Sequence, residues 1–203
     1  MQPDDFTVHI VDDEEALRKS LGFMLTVNGF AVRLHPSATT FSEIASSLRN
    51  AILITDMRMP DMSGLDLVRK ISSISPPIPS IIVTGHGDIP MAVEAMKAGA
   101  VDFIEKPFEE SVIIEAVRRA AEKLADSSAG TLSVDDIRSR IGSLSERERQ
   151  ILSAVVAGQP NKAIAFNLDI SPRTVEVHRA NVMTKMRARS LPELVRMSLT
   201  VNI

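Results

Sequence analysis

Four short apolar runs in the first half of this chain each stop at a polar side chain, and few folds accommodate that arrangement. Val8-His9-Ile10-Val11 leads into Asp12-Asp13, Ala51 through Thr55 into Asp56, Ser80-Ile81-Ile82-Val83 into Thr84, and Val101 through Glu105 into Lys106-Pro107. A fifth run, Phe30 to Leu34, stops at His35-Pro36 and carries no matching acid. Near-continuous apolar strands belong to parallel sheets covered on both faces. Open α/β sheets bind ligands at the carboxyl ends of their strands. The pattern therefore predicts that Asp12, Asp13, Asp56, Thr84 and Lys106 meet in one crevice. Neighbouring carboxylates repel one another, and a hard divalent cation such as Mg²⁺ neutralises them with oxygen ligands. Lys106 supplies a further positive charge.

Helical patterns separate the runs. Leu17, Leu21, Met24 and Leu25 recur at helical spacing, and Asn28-Gly29 closes that segment. Ser37 caps a segment with Phe41, Ile44 and Leu48; the others run over 64–74, 90–98 and 109–124. Five strands alternating with five helices predict a doubly wound α/β domain with a five-stranded parallel sheet and right-handed crossovers.

A chain of 203 residues exceeds what that unit needs. Residues 126–131 are small and polar and read as a linker, with a short helix expected over 133–141. There is no cysteine, which excludes disulfides and thiolate metal sites. No apolar run approaches the roughly 20 residues that span a bilayer, and the acidic first residues lack a signal-peptide pattern. A soluble, intracellular protein is expected. The net charge of −3 hides an asymmetry: residues 1–126 carry −7 and residues 127–203 carry +4. A basic second half points to a polyanionic partner.

That second half reads as helical throughout. Ser145-Glu146-Arg147-Glu148 has the form of a capping box. Its helix turns Ile151, Leu152, Val155 and Val156 inward and stops at Gly158. Asn161 is expected to cap a short second helix. Asp169-Ile170-Ser171 makes a tight turn, and Ser171 caps a third helix with Pro172 at its favoured first position. A last helix covers 191–201. The second and third helices form a helix-turn-helix, whose later helix enters the DNA major groove. Val175, Val182 and Met186 share its inward face. Arg173, Val177, Ala180 and Thr184 lie opposite, flanked by Thr174, Glu176 and Asn181. Small and methyl-bearing groups there suit thymine methyls, and Asn181 suits a base edge or a phosphate. Lys162, Arg173, Arg179 and Lys185 suit phosphates, which position a protein without specifying sequence.

These residues also carry a resemblance. The first half resembles the receiver domain of two-component response regulators through Asp12-Asp13, Asp56 with the following Met57-Arg58-Met59-Pro60-Asp61-Met62-Ser63-Gly64, Thr84-Gly85-His86-Gly87 and Lys106-Pro107-Phe108. The second half is similar to the LuxR-type helix-turn-helix through Leu144 to Glu148, Asn161 to Ala165 and Ser171 to Arg179. Together they resemble the NarL/FixJ class, nearest in wording to its nitrogen-fixation branch. The resemblance implies a flavodoxin/CheY-like receiver over residues 1–125, a linker over 126–142 and an all-α, four-helix DNA-binding domain over 143–203. It implies Asp56 as phosphoacceptor and Mg²⁺ held by Asp12, Asp13, Asp56 and the Arg58 carbonyl. Lys106 would pair with phosphoryl oxygens, Thr84 would hydrogen-bond the phosphoryl group, and Phe103 would rotate inward as the aromatic switch. It further implies a sensor histidine kinase, double-stranded promoter DNA and RNA polymerase as partners, with a homodimer when phosphorylated and a monomer otherwise. Activation of transcription in the cytoplasm, with nitrogen-fixation genes as targets, completes the implied function. One departure is Asp169, where the family's turn usually has glycine; Asp tolerates a left-handed backbone better than most residues. Gln159-Pro160 is another, as an unusual lead into the second helix. An aspartyl-phosphate phosphatase is a rival reading, but it commonly has a second Asp two residues after the nucleophile, where this chain has Arg58. A receiver that only binds partners is another, and the intact acids and Lys106 disfavour it.

Overall fold

A computed structural model describes residues 5–74, 77–85, 87–125 and 134–201. His86, Ser133 and the stretch 126–132 of the expected linker lie outside the described residues. Among those described, no helix is long and apolar enough to cross a membrane.

The first strands and helices alternate as expected: β1 (Thr7–Val11), α1 (Glu15–Val27), β2 (Ala31–His35), α2 (Ala38–Ile44), β3 (Ala51–Asp56), α3 (Gly64–Ile71), β4 (Ser80–Thr84), α4 (Ile89–Lys97), β5 (Asp102–Glu105) and α5 (Glu110–Ala125). All five strands are parallel, in the order β2-β1-β3-β4-β5. This is the doubly wound topology, with its switch point between β1 and β3. Successive residues of a strand point to opposite faces, and the apolar runs sort accordingly. Val8, Ile10, Ile52, Ile54, Ile81 and Val83 form one core with Leu25 of α1 and Ile113, Ala116, Val117 and Ala120 of α5. Val11 and Leu53 form the other with Phe41 of α2 and Leu67 and Ile71 of α3. The edge strand β2 is largely open to solvent, which accommodates the charged Arg33 within its run.

The remaining helices are α6 (Val134–Gly142), α7 (Glu146–Val156), α8 (Asn161–Asn167), α9 (Pro172–Met186) and α10 (Leu191–Thr200). By compactness the chain divides into two units, one holding the sheet with α1, α2, α3 and α5, the other holding α4 with α6 to α10. In the second unit, Ile151, Val155, Ile164, Ala165 and Val175 pack together. Leu152, Val156, Val182, Met186 and Leu194 form an adjoining cluster.

Serine caps start three of these helices and two of the earlier set. Ser37, Ser63, Ser145, Ser171 and Ser190 each accept a backbone N–H three residues on, satisfying donors that a helix start leaves unpaired. The Ser145–Glu148 capping box is complete. Two local expectations need correction. The cap position of α8 is Pro160, without a side-chain cap, and Asn161 is the first helical residue. The α3 helix ends at Ile71, three residues early. Asp169 is left-handed, with φ of 51°.

Candidate functional site

The crevice lies at the carboxyl ends of β1, β3, β4 and β5, and Lys106 is its centre. The Lys106 ammonium donates to Asp56 Oδ1 at 2.7 Å and to Asp12 Oδ2 at 3.2 Å. Burial works against its charge, but the hydrogen bond and charge of Asp56, followed by those of Asp12, hold its pKa above the ordinary lysine value. The cation is therefore fixed at neutral pH. It follows directly after β5, and its own N–H donates to the Thr84 carbonyl at 2.7 Å.

Each carboxylate is also held from its own loop. Asp56 Oδ2 accepts the Arg58 N–H at 2.6 Å. Asp12 Oδ1 accepts the Glu14 N–H at 2.8 Å, and the Asp12 carbonyl accepts Arg18 Nη1 at 2.6 Å. Each Asp thus leaves an oxygen directed at the same ammonium. Thr84 is only 1 % exposed and Phe103 9 % exposed. Phe103 sits on β5 opposite Ile82, with its ring already buried.

Asp12, Asp56, Thr84 and Lys106 thus occupy the expected strand ends. Asp13 is exposed. Among the described residues no group of three or more His, Cys, Asp or Glu side chains is gathered for a metal. The oxygens that do converge, on Asp12 and Asp56, are hard donors of the kind Mg²⁺ takes, so the chemistry of the donor set fits that ion.

Two supports went unread in the sequence. Arg18 tethers the loop after β1 through the Asp12 carbonyl. Gly64 lies so close to the acceptor loop that a Cβ on it would fall 2.1 Å from the Asp56 carbonyl oxygen. Its N–H closes that loop on the Met57 carbonyl at 3.0 Å. A glycine eight residues after an Asp is an ordinary motif letter; only the fold shows the contact.

The basic surface centres on α9. Val175, Val182 and Met186 are buried, as their spacing predicts. Arg173, Glu176, Val177, Ala180, Asn181 and Thr184 are exposed, and Lys162 is exposed on α8. Arg173 pairs with Glu176 at 2.8 Å. Thr174 is half-buried and shares a hydrogen bond with the capping Ser171 hydroxyl. Two expected phosphate contacts are engaged inside the fold. Arg179 donates to Asn161 Oδ1 at 3.0 Å, and its burial lowers its pKa against the opposing charge of Glu176. Lys185 donates to Glu148 Oε2 at 2.7 Å, where the carboxylate is 6 % exposed. Lys185, followed by the Ser145 N–H, holds the Glu148 carboxyl below the usual carboxylate range.

Two families match this chain: the response regulator receiver domain over residues 8–118 and the bacterial regulatory proteins of the luxR family over residues 142–198. The chain is 67 % identical to the transcriptional regulatory protein FixJ of Rhizobium meliloti, with 96 % of each chain covered. It is 48 % identical to FixJ of Azorhizobium caulinodans, covering 99 % of this chain and 95 % of that one. Among solved structures, full-length FixJ from B. japonicum is 45 % identical, covers 97 % of both chains and gives a TM-score of 0.56. FixJ-N is 62 % identical over 64 % of this chain and 99 % of that one, also with a TM-score of 0.56. The chain therefore belongs to the FixJ-like response regulators of the NarL/FixJ class, phosphorylation-dependent transcriptional regulators of two-component systems with a receiver domain and a LuxR-type DNA-binding domain.

Proposed function

We propose that Asp56 accepts a phosphoryl group from a sensor histidine kinase. The phosphorylated chain then pairs into a homodimer, binds double-stranded promoter DNA and recruits RNA polymerase to activate transcription in the cytoplasm. Residues 1–125 act as the receiver, 126–142 as linker and 143–203 as the DNA-binding domain. Nitrogen-fixation genes are the proposed targets. One observation carries the acceptor assignment: a single ammonium bridges Asp56 and Asp12 from different strands, 2.7 and 3.2 Å away.

An Asp56 oxygen attacks phosphorus, the P–N bond of the kinase phospho-histidine breaks, and the imidazole leaves with the electron pair. Charge develops on the phosphoryl oxygens, where a preorganised cation is worth most. Lys106 supplies it. Mg²⁺, held by Asp12 and Asp56 with Asp13 and the Arg58 carbonyl, would add charge neutralisation there. The product is more negative than a carboxylate and bears three strong acceptors. Thr84, one strand over, is the donor that turns to meet it, and Phe103 packs against the altered Thr84. The chain's only chemistry is the gain and loss of its own phosphoryl group.

Acetyl phosphate with Asp56→Asn as control tests this. About one stable equivalent of label on the wild type and none on the variant is expected for a single acceptor. Label retained by Asp56→Asn refutes the acceptor assignment. Rapid turnover without a stable label indicates a phosphatase, and absence of label in both indicates a binding module.

A further inference from the structure

The LuxR-type match begins at residue 142, yet the helix before it is built into the same core. Ile137 of α6 is buried with Leu152, Val182, Met186 and Leu194, and Ile141 packs against that cluster. The outer face of α6 is polar and exposed, so one stripe anchors it.

One polar contact of α6 reaches the last turn of α9. A helix leaves its final carbonyls without intrahelical partners, and its carboxyl end favours cations. Arg140 Nη1 donates to the Met186 carbonyl at 2.9 Å. Arg187 follows in the left-handed conformation, with φ of 53°, and ends the helix. A second link runs the other way. Lys185, in the same turn, donates to Glu148 Oε2 at 2.7 Å and to the Ser143 carbonyl at 3.5 Å. The segment from Arg140 to Glu148 thus clasps the end of α9 from two directions. Ser171 and the Arg179–Asn161 hydrogen bond fix the helix nearer its start.

We propose that Arg140 is a positioning residue for DNA recognition. Through the Met186 carbonyl it lets α6 set the angle at which α9 meets the major groove, without itself touching DNA. A displacement of α6 is passed to the last turn of α9 by the same hydrogen bond. This rests on α9 being the recognition helix.

The test uses the full chain with Mg²⁺ and acetyl phosphate. A duplex is first selected from random sequence by the wild type, and a scrambled duplex serves as reference. A hydrogen bond from a charged donor is worth enough that Arg140→Ala should weaken the selected duplex roughly tenfold. Binding to the scrambled duplex and the salt slope should stay unchanged. Arg140→Lys, which keeps a cationic donor, should recover most of the loss. Equal losses on both duplexes with a shallower salt slope would mean a phosphate contact and would overturn the proposal. So would a wild-type ratio between the duplexes. If Arg140→Ala fails to melt cooperatively, Arg140→Met carries the same comparison, because it keeps an apolar stem of similar length and has no N–H donor for the Met186 carbonyl. A wild-type chain that selects no sequence would refute DNA recognition by α9 itself, which is a separate failure.

Discussion

Asp56 is held on three sides, and the backbone constrains it as firmly as the charges do. Lys106 fixes one carboxylate oxygen and the Arg58 N–H the other. Gly64 comes so near the Asp56 carbonyl that any side chain there must push the peptide. Overlap with backbone has no cheap relief, unlike overlap with a flexible side chain. Gly64→Ala should therefore lower stability by about 1–3 kcal/mol in urea titration and slow labelling by acetyl phosphate. An unchanged labelling rate would show that the acceptor loop tolerates displacement. Behind the crevice, His9 stacks on His35 with ring centroids 5.1 Å apart, and the two rings share a 2.9 Å hydrogen bond. Burial, then the charges of His35 and Arg33, pull His9 down from 6.5 to about 4. The unfolded chain therefore binds more protons than the folded chain between those values, so stability rises with pH across that window. It is lost as pH falls from 6.5 towards 4. The melting temperature should drop by several degrees between pH 7 and pH 5, and His9→Gln should show a smaller drop. An identical drop in the variant would assign the acid sensitivity to other groups.

At the scale of elements, the proposed DNA contacts of α9 fall into two kinds. Arg173 is 84 % exposed on its side chain and reaches outward near the start of the helix. Val177 is 51 % exposed, one turn further on the outer face. Arg173→Ala should weaken binding to all duplexes alike and flatten the salt dependence by about one phosphate contact. Val177→Ala should change preference at one base position, by about 1 kcal/mol, and leave the slope intact. Titrations against selected and scrambled duplexes at several salt concentrations distinguish them; a slope change for Val177→Ala alone would reverse the assignments. The two faces of α9 were legible because burial follows the 3.6-residue period. So were the strand ends, because a parallel sheet forces apolar runs to stop where the crevice begins. What stayed hidden was the fate of long cations. Arg179 and Lys185 look free in a helical projection, yet Asn161 and Glu148, remote in sequence, hold them. Asn161 was misplaced as a cap for a related reason, since Pro160 takes the cap position and frees the Asn161 side chain for Arg179. Spacing along one helix carries no information about a neighbouring helix.

For the whole molecule, the proposed function turns on the coupling between a buried change of charge and an assembly large enough to span two DNA half-sites. The acidic first half and basic second half, at −7 and +4, assign the two tasks to different stretches of chain. The basic half supplies the attraction to DNA, and in the proposed function the phosphoryl group acts through affinity between copies. A dimer with two α9 helices requires half-sites about 10 bp apart, or multiples of that spacing, on one face of the duplex. Treatment with acetyl phosphate and Mg²⁺ should double the sedimenting mass of the wild type. The protected region on DNA should then extend over two half-sites at that spacing. Asp56→Asn should remain monomeric and should not gain affinity. If the wild type gains DNA affinity while its mass stays that of one chain, pairing is not the output of the switch. The charge change at Asp56 would then act within a single chain, and single half-sites would be bound as strongly as paired ones.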